Sequence, residues 1–572
     1  MELRTKLIRN ILEYLEQDRV LFPDKKALVD EATSYTFSEF YDLSRWIGSA
    51  IAKKMISGEI SDNAAIADDS LKRSAIAKKM ISGEISDNAA IADDSLKRSA
   101  IAKSASDNTK RITKRSTIRK PIAVLMEKGA DTLCAFMGIA YAGCFYVLLN
   151  PEFPESRLTQ IQGVLEAPFI VTNPEHLELA EKLVPAERIL LLSDLMQEEE
   201  DSSLLDSIRK RAIDTDPLYA NFTSGSTGVP KGVVVGHRSV LDFIENFVPM
   251  FGIGNNDIIA NQAPFDFDVS VKDIYSALKT GATLVIVPKR LFSQPVQLLD
   301  FLCDHDITTM IWAVSALCLI TTCHGLDYKT PMTVKRVLFS GEVMPLKHLL
   351  DWMNHLPEAE FVNLYGPTEI TCNCTYHRID RNRDYSDGIP IGLPFPNEHV
   401  FLLDAENKEI LEPDVTGEIC VRGSALALGY FRNPEQTASA FPDDPSNSCY
   451  PEKIYRTGDL GRYAADGEEL YFCGRKDFQI KYMGHRIEIE EIERAISDVD
   501  GIARCCVIFD ESKQRLYGFY VGAMDKKELH AELAKTLPIY MIPGVLKNVE
   551  EFPLTKNGKI DRRALLERKA RK

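Results

Sequence analysis

The chain has 572 residues, 45% of them hydrophobic and 27% charged, with a formal net charge of −16. That length calls for two or three domains and that balance for a folded soluble protein, while the acidity excludes a general nucleic-acid binder. No stretch approaches the ~20 apolar residues of a membrane span and the N-terminus lacks an apolar signal core, so a cytoplasmic protein with neither nucleic acid nor membrane as partner is expected.

In chain order, a helix begins near Phe37 and runs into an exact repeat. Ser49–Arg73 reads SAIAKKMISGEISDNAAIADDSLKR, Ser74–Arg98 repeats it letter for letter, and a third copy stops after Lys103. Solenoid units drift in their letters and stack in threes or more, so perfect identity reads as a recent tandem duplication or as an error in the gene or its assembly. Residues 49–120 are therefore expected to be a poorly ordered insertion without catalytic role, after a domain start at 1–48. The basic run Lys103–Lys120 reads as a solvated linker rather than an RNA- or lipid-binding patch.

Beyond it the texture is α/β. Ile122–Met126, Cys144–Leu149, Phe169–Val171 and Ile189–Leu192 are short apolar runs, and Ala130–Ala142 is helical. Runs at Leu284–Val287, Thr309–Trp312 and Val337–Phe339 continue the alternation, which predicts parallel sheets covered by helices. From about Val400 short strands and turns (Val400–Leu403, Gly417–Arg422, Glu469–Phe472) predict a β-rich subdomain. The N-terminal core is thus 121–476, and 477–572 is a small α+β C-terminal domain, with the boundary at Lys476–Phe478. The twelve cysteines form no C-x-x-C pair, so zinc is not expected and free thiols are.

One segment carries chemistry on its own. Thr223-Ser224-Gly225-Ser226-Thr227-Gly228-Val229-Pro230-Lys231 combines glycines that let backbone approach a polyanion, hydroxyls that donate to phosphate oxygens, and a lysine that adds charge. It is not a G-x-x-x-x-G-K-[ST] loop, because Val229-Pro230 separates Gly228 from Lys231 and Gly232 follows.

Thr223–Lys231 closely resembles the signature of the adenylate-forming superfamily: acyl-CoA synthetases, luciferases and nonribosomal peptide synthetase adenylation domains. Further motifs of that family follow in order: Asn363–Glu369, Gly417–Gly423, Tyr455–Asp459, Gly474–Asp477 and Asn557–Asp561. Together they span Leu7 to the C-terminus apart from the insertion. The resemblance implies ATP and Mg²⁺ as cofactors, and a C-terminal domain that swings about Asp477 and brings Lys481–Arg486 against the site. It implies that Thr223, Ser224, Gly225, Ser226, Thr227, Gly228 and Lys231 grip phosphate, with Asn363 and Gly366 in the nucleotide site. Tyr365, at an exposed turn, would stack on adenine, Thr368 would contact the α-phosphate and Glu369 would ligate Mg²⁺. Asp459 would take the ribose, with Arg475 beside it, and Lys559 would stabilise the charge that develops as oxygen attacks phosphorus.

Asp268, in Phe267-Asp268-Val269-Ser270-Val271, resembles the adenylation-domain carboxylate that pairs with a substrate α-ammonium, and its surroundings look most like D-alanine–carrier-protein ligases and freestanding adenylation domains. Counting from the motifs, the rest of the pocket is expected from Val269, Lys272, Trp312, Leu338, Ser340, Leu364, Cys372 and Asn373. Lys272 faces an acidic or polar side chain or snorkels to solvent; Trp312 makes the pocket shallow or walls a flat substrate. The expected activity is amino-acid activation as aminoacyl-AMP with release of pyrophosphate. Transfer to the phosphopantetheine thiol of a separate carrier protein would follow, since no carrier motif follows Lys572. An acyl- or aryl-acid CoA ligase is the alternative.

Overall fold

The computed structural model describes residues 8–57, 118–225, 229–476, 479–510, 513–553, 560–562 and 564–566. Ser226, Thr227, Gly228, Asp477 and Lys559 of the expected site lie outside them, as does 58–117.

Strands buried on both faces are apolar at every position, and two here show it: Pro121–Leu125 and Phe145–Leu148 are buried throughout. They lie at the middle of a seven-stranded sheet in the order 429–430, 231–236, 217–223, 145–148, 121–125, 170–172, 189–191. All its pairings from 217–223 to 189–191 are parallel. A nine-stranded sheet holds a second parallel run, in which Thr309–Ala313, Arg336–Ser340 and Glu360–Tyr365 pair in register. A five-stranded antiparallel sheet, 398–403 and 417–423 at its heart, is the β-rich subdomain. Among the described residues no helix is long and apolar enough to cross a membrane.

The insertion begins later than its repeat suggests. The helix entered at Phe37 runs through 57, so the first nine residues of the first copy complete it. Ile47, Ile51 and Met55 follow each other at four-residue steps and are all buried, a stripe that continues the helix's core face. Gly48 allows the crossing: a Cβ there would come 2.6 Å from the Tyr141 Cβ on helix Ala130–Tyr141. The identity of the two copies had masked this apolar spacing.

The C-terminal part carries its own core. Ile487, Ile492, Ile496, Leu529 and Leu533 form one cluster, and Cys506, Tyr517 and Phe519 a second. Neither includes a residue from before Ile480. This part joins the large domain through polar contacts: Arg157 and Glu491 form an ion pair with both side chains 5% exposed, and Ser156 Oγ donates to the Lys535 carbonyl at 2.7 Å.

Candidate functional site

Strands Pro217–Thr223 and Lys231–Gly236 are antiparallel, with Thr223 opposite Lys231. The Ser/Gly-rich segment therefore connects two paired strands rather than a strand and a helix, which is why it departs from the G-x-x-x-x-G-K-[ST] spacing. The register puts the Lys231 side chain inward, 8% exposed, with Nζ 3.5 Å from Glu369 Oε1 and 3.3 Å from the Tyr430 hydroxyl. Burial pushes the Lys231 ammonium down, and Arg486 adds to that.

Glu369 lies on a single 3₁₀ turn after strand Glu360–Tyr365 and is fully buried. It accepts from the Tyr430 hydroxyl at 2.8 Å and from Arg486 Nη1 at 2.9 and 2.7 Å on its two oxygens. Burial alone would raise its carboxyl, but Arg486 and Lys231 outweigh that and hold it at about 2. The turn is forced by its neighbours. A Cβ on Gly366 would meet the Asn373 Cα at 2.4 Å, so only glycine lets the two backbones pass. Thr371 and Cys372 then take φ values of 52° and 79°, left-handed conformations that cost about 1–3 kcal/mol each and mark a position fixed for function.

Tyr365 was expected at an exposed turn. It is instead the last residue of its strand and buried, with its hydroxyl donating to Asp459 Oδ2 at 2.6 Å. Packing of the 470–475 strand covers it, since Asp459 lies opposite Arg475 across that pairing. The Arg475 guanidinium takes the other Asp459 oxygen. Asn363 does not face the cavity: its Nδ2 donates to the Pro390 carbonyl at 2.8 Å.

Asp268 is buried at the start of helix Val269–Thr280. Burial raises its carboxyl; a hydrogen bond from Thr368 and the charge of Lys272 oppose this. Asp268, Val269, Ser340, Gly366, Thr368, Cys372 and Asn373 line one cavity with Asp459 and Arg475. Cys372 Sγ also donates to the Asp268 carbonyl at 3.1 Å. Lys272 does not snorkel: it is fully buried and donates to Ser340 Oγ at 3.1 Å and Asn373 Oδ1 at 2.7 Å.

Leu338 and Leu364 belong to the core packed behind this cavity. Trp312 does not wall the pocket. Strand side chains alternate, so Trp312 points to the opposite face of the sheet, against Phe292, and its indole N–H donates to the Ala260 carbonyl at 2.9 Å. Ile311 takes the pocket-side place, opposite Leu338 in register.

The C-terminal part enters the same cavity through a hairpin, Gln479–Tyr482 against His485–Glu488. Its two-residue turn has Met483 and Gly484 at φ 52° and 81°, the positive pair that tight hairpins require. Ser224 Oγ donates to the Arg486 carbonyl at 2.8 Å and accepts from Glu488 N at 3.3 Å. Gly484 N donates to Glu342 Oε1 at 2.7 Å, and Lys481 Nζ stands 5.4 Å from the centre of the Tyr365 ring. Glu342, Tyr430 and Gln479 were not foreseen. Tyr430 has no local signal, since it arrives on the two-residue strand Gly429–Tyr430 beside Lys231–Gly236.

Residues 116–431 match the AMP-binding enzyme family and 491–559 match the AMP-binding enzyme C-terminal domain. The chain is 32% identical over 450 residues to tyrocidine synthase 3 of Brevibacillus parabrevis; the match covers 78% of this chain but only 7% of that protein. Among the solved structures that share the fold are the following two. One is the Vibrio cholerae adenylation domain AlmE in complex with glycyl-adenosine-5'-phosphate, with a TM-score of 0.75, 19% identity and 99% of each chain covered. The other is NpsA-ThdA from Klebsiella oxytoca, an artificially fused adenylation–PCP di-domain, with a TM-score of 0.71, 19% identity and 95% and 94% of the two chains covered.

Proposed function

The chain belongs to the AMP-binding enzyme family of adenylate-forming ligases, and from that premise we propose that it activates an amino acid with ATP, releasing pyrophosphate. We propose further that it passes the aminoacyl group from AMP to the phosphopantetheine thiol of a separate carrier protein. One observation carries the choice of an amino acid. Asp268 is a buried carboxylate on the cavity wall, and among the described residues no cation stands within ion-pair distance of it. A buried carboxylate needs a partner, and a substrate α-ammonium supplies one. The glycyl-adenylate named with AlmE and the carrier fused in NpsA-ThdA support the two halves of the reading.

In the first half, an oxygen of the substrate carboxylate forms a bond to the α-phosphorus while the bond to pyrophosphate breaks. No protein nucleophile is needed, so positioning and charge do the work. Lys231 and the 223–231 turn hold the phosphates, Tyr365 and Asp459 hold adenine and ribose, and Thr368 meets the α-phosphate. Glu369 offers the hard oxygen donors that suit Mg²⁺, and the metal supplies charge neutralisation on the phosphates when bound. Lys559 balances the charge that develops at phosphorus. In the second half, thiol sulfur attacks the acyl carbonyl and AMP leaves as the hairpin 479–488 lies against the site.

The test is amino-acid-dependent ATP–pyrophosphate exchange. We expect exchange with at least one amino acid and a loss of about 100-fold in Asp268→Ala with ATP affinity kept. Equal exchange with the des-amino acid would sink the amino-acid reading. Aminoacyl transfer to coenzyme A without a carrier would replace the carrier by the CoA-ligase alternative.

A further inference from the structure

Strands Phe145–Leu148 and Pro217–Thr223 lie side by side and parallel, with Tyr146 opposite Tyr219, so the segments that leave them start at one edge of the sheet. The first segment leads into helix Glu155–Leu165, with Arg157 in its first turn; the second opens with Ser224 and Gly225. Both meet one carboxylate from the C-terminal part. Arg157 is buried and its Nη1 pairs with Glu491 Oε1, while its Nε is buried without a partner among the described residues. The Gly225 amide donates to the same carboxyl. Burial holds Glu491 above the usual carboxylate range, against the pull of Arg157 and that amide. Ser224 is taken by the same stretch of chain, since its hydroxyl bonds the Arg486 carbonyl and Glu488 N.

A guanidinium and a backbone N–H that converge on one oxyanion suit a phosphate as well as a carboxylate, because both present the same acceptor oxygens. Lys231, at the far end of the phosphate segment, keeps its counter-charge wherever the C-terminal part stands, because Glu369 belongs to the large domain. Arg157 does not. The one ion pair it forms among the described residues is with Glu491. Once the C-terminal part leaves, this guanidinium faces the phosphate segment without an opposite charge, and a charge held in such a place requires one. Resting on the reading that residues 223–231 hold the phosphates, we propose that Arg157 binds the ATP tail beyond the α-phosphorus. Glu491 takes the place of that phosphate when the C-terminal part docks. Pyrophosphate and the docked C-terminal part then exclude each other: pyrophosphate leaves before Glu491 seats, and ATP displaces Glu491 to bind.

The experiment is calorimetric titration of the full chain with pyrophosphate in the presence of Mg²⁺ and, separately, with AMP. Glu491→Gln should bind pyrophosphate severalfold more tightly than wild type, because the competitor is weakened and more of the protein stands open. Arg157→Gln should bind it about tenfold more weakly, the scale of one charged hydrogen bond, with AMP affinity unchanged. A pair that serves only to dock the C-terminal part would make the two variants alike. Tighter or unchanged pyrophosphate binding by Arg157→Gln therefore overturns the inference; so does an equal loss for AMP. Unchanged or weaker binding by Glu491→Gln overturns the displacement. Should Arg157→Gln fail to fold, the double variant with Glu491→Gln, which strands no buried charge, takes its place. It should bind pyrophosphate about tenfold more weakly than Glu491→Gln alone, and equal affinities overturn the inference. Pyrophosphate binding by neither wild type nor Glu491→Gln removes the phosphate role of 223–231 itself, and the inference with it.

Discussion

Glu369 stands on a 3₁₀ turn and Asp459 in the middle of strand Tyr455–Tyr463, both inside the large domain and fixed by register and burial. Arg486 and Lys481 reach the same cavity from a two-stranded hairpin whose domain, among the described residues, shares no apolar cluster with the large one. The first set is placed by a packed core that cannot shift without losing its packing. The second is placed by charged and hydrogen-bonded pairs, which exchange for water or ligand at modest net cost. Yet both sets meet on the same atoms. Arg486 occupies the carboxylate proposed for the metal, the Arg486 and Glu488 backbone occupies Ser224, and Lys481 faces the ring proposed for adenine. One domain thus builds the site, and the other fills it with groups that can leave.

Changes on the core side should have the largest effects. Glu369→Gln should lower pyrophosphate exchange by about 1,000-fold, the scale of a lost electrostatic group at a reacting centre; a loss under tenfold would remove Glu369 from the chemistry. Lys559→Ala should cost about 100-fold or more in adenylate formation with ATP binding nearly intact, and near-normal turnover would cancel its role. On the hairpin side, Arg486→Ala should slow transfer of the acyl group from preformed adenylate by about tenfold while exchange is kept, because it removes one charged contact of several. An equal loss in both half-reactions would show that the hairpin serves the core's chemistry too.

Acid should loosen the hairpin before it touches Glu369. The His485 ring lies stacked on Tyr540, and burial lowers it to about 4, with Lys289 adding to the effect. The docked state therefore favours the neutral ring. Its contribution is complete above about 6.5 and is lost as pH falls from there towards about 4. Glu369, held at about 2 from an ordinary 4.5, contributes fully above 4.5 and is lost only as pH falls further towards 2. Limited proteolysis near the 476–479 connection should thus rise severalfold between pH 6.5 and 4.5, and His485→Gln should flatten that rise. The smallest effect belongs to deletion of 74–98, which should leave exchange within about twofold; a large loss would give the repeat a role in the site.

Much of this was legible from residues alone, for stated reasons. Strands such as Ile122–Met126 declare themselves because burial on both faces demands unbroken apolar letters, and the 223–231 segment stands out because few other needs assemble four hydroxyls, glycines and a lysine. What escaped depends on pairing between distant segments. Tyr430 joins Glu369 across 61 residues and Glu342 meets Gly484 across 142, and neither leaves a local trace. Tyr365 was placed in the open because Gly366-Pro367 reads as a turn, while its cover comes from strand 470–475. Trp312 for Ile311 was an error of one position, and in a strand one position is the other face.

The helix that reaches residue 57 inside the first repeat copy has a genetic consequence. Because the copies are identical, loss of 49–73 and loss of 74–98 write one and the same polypeptide. Replication slippage that adds or removes whole units likewise leaves every letter of helix 37–57 in place as long as one full copy remains. The packed start of the large domain is therefore indifferent to copy number above one, and selection acting on the fold has no means of counting further repeats.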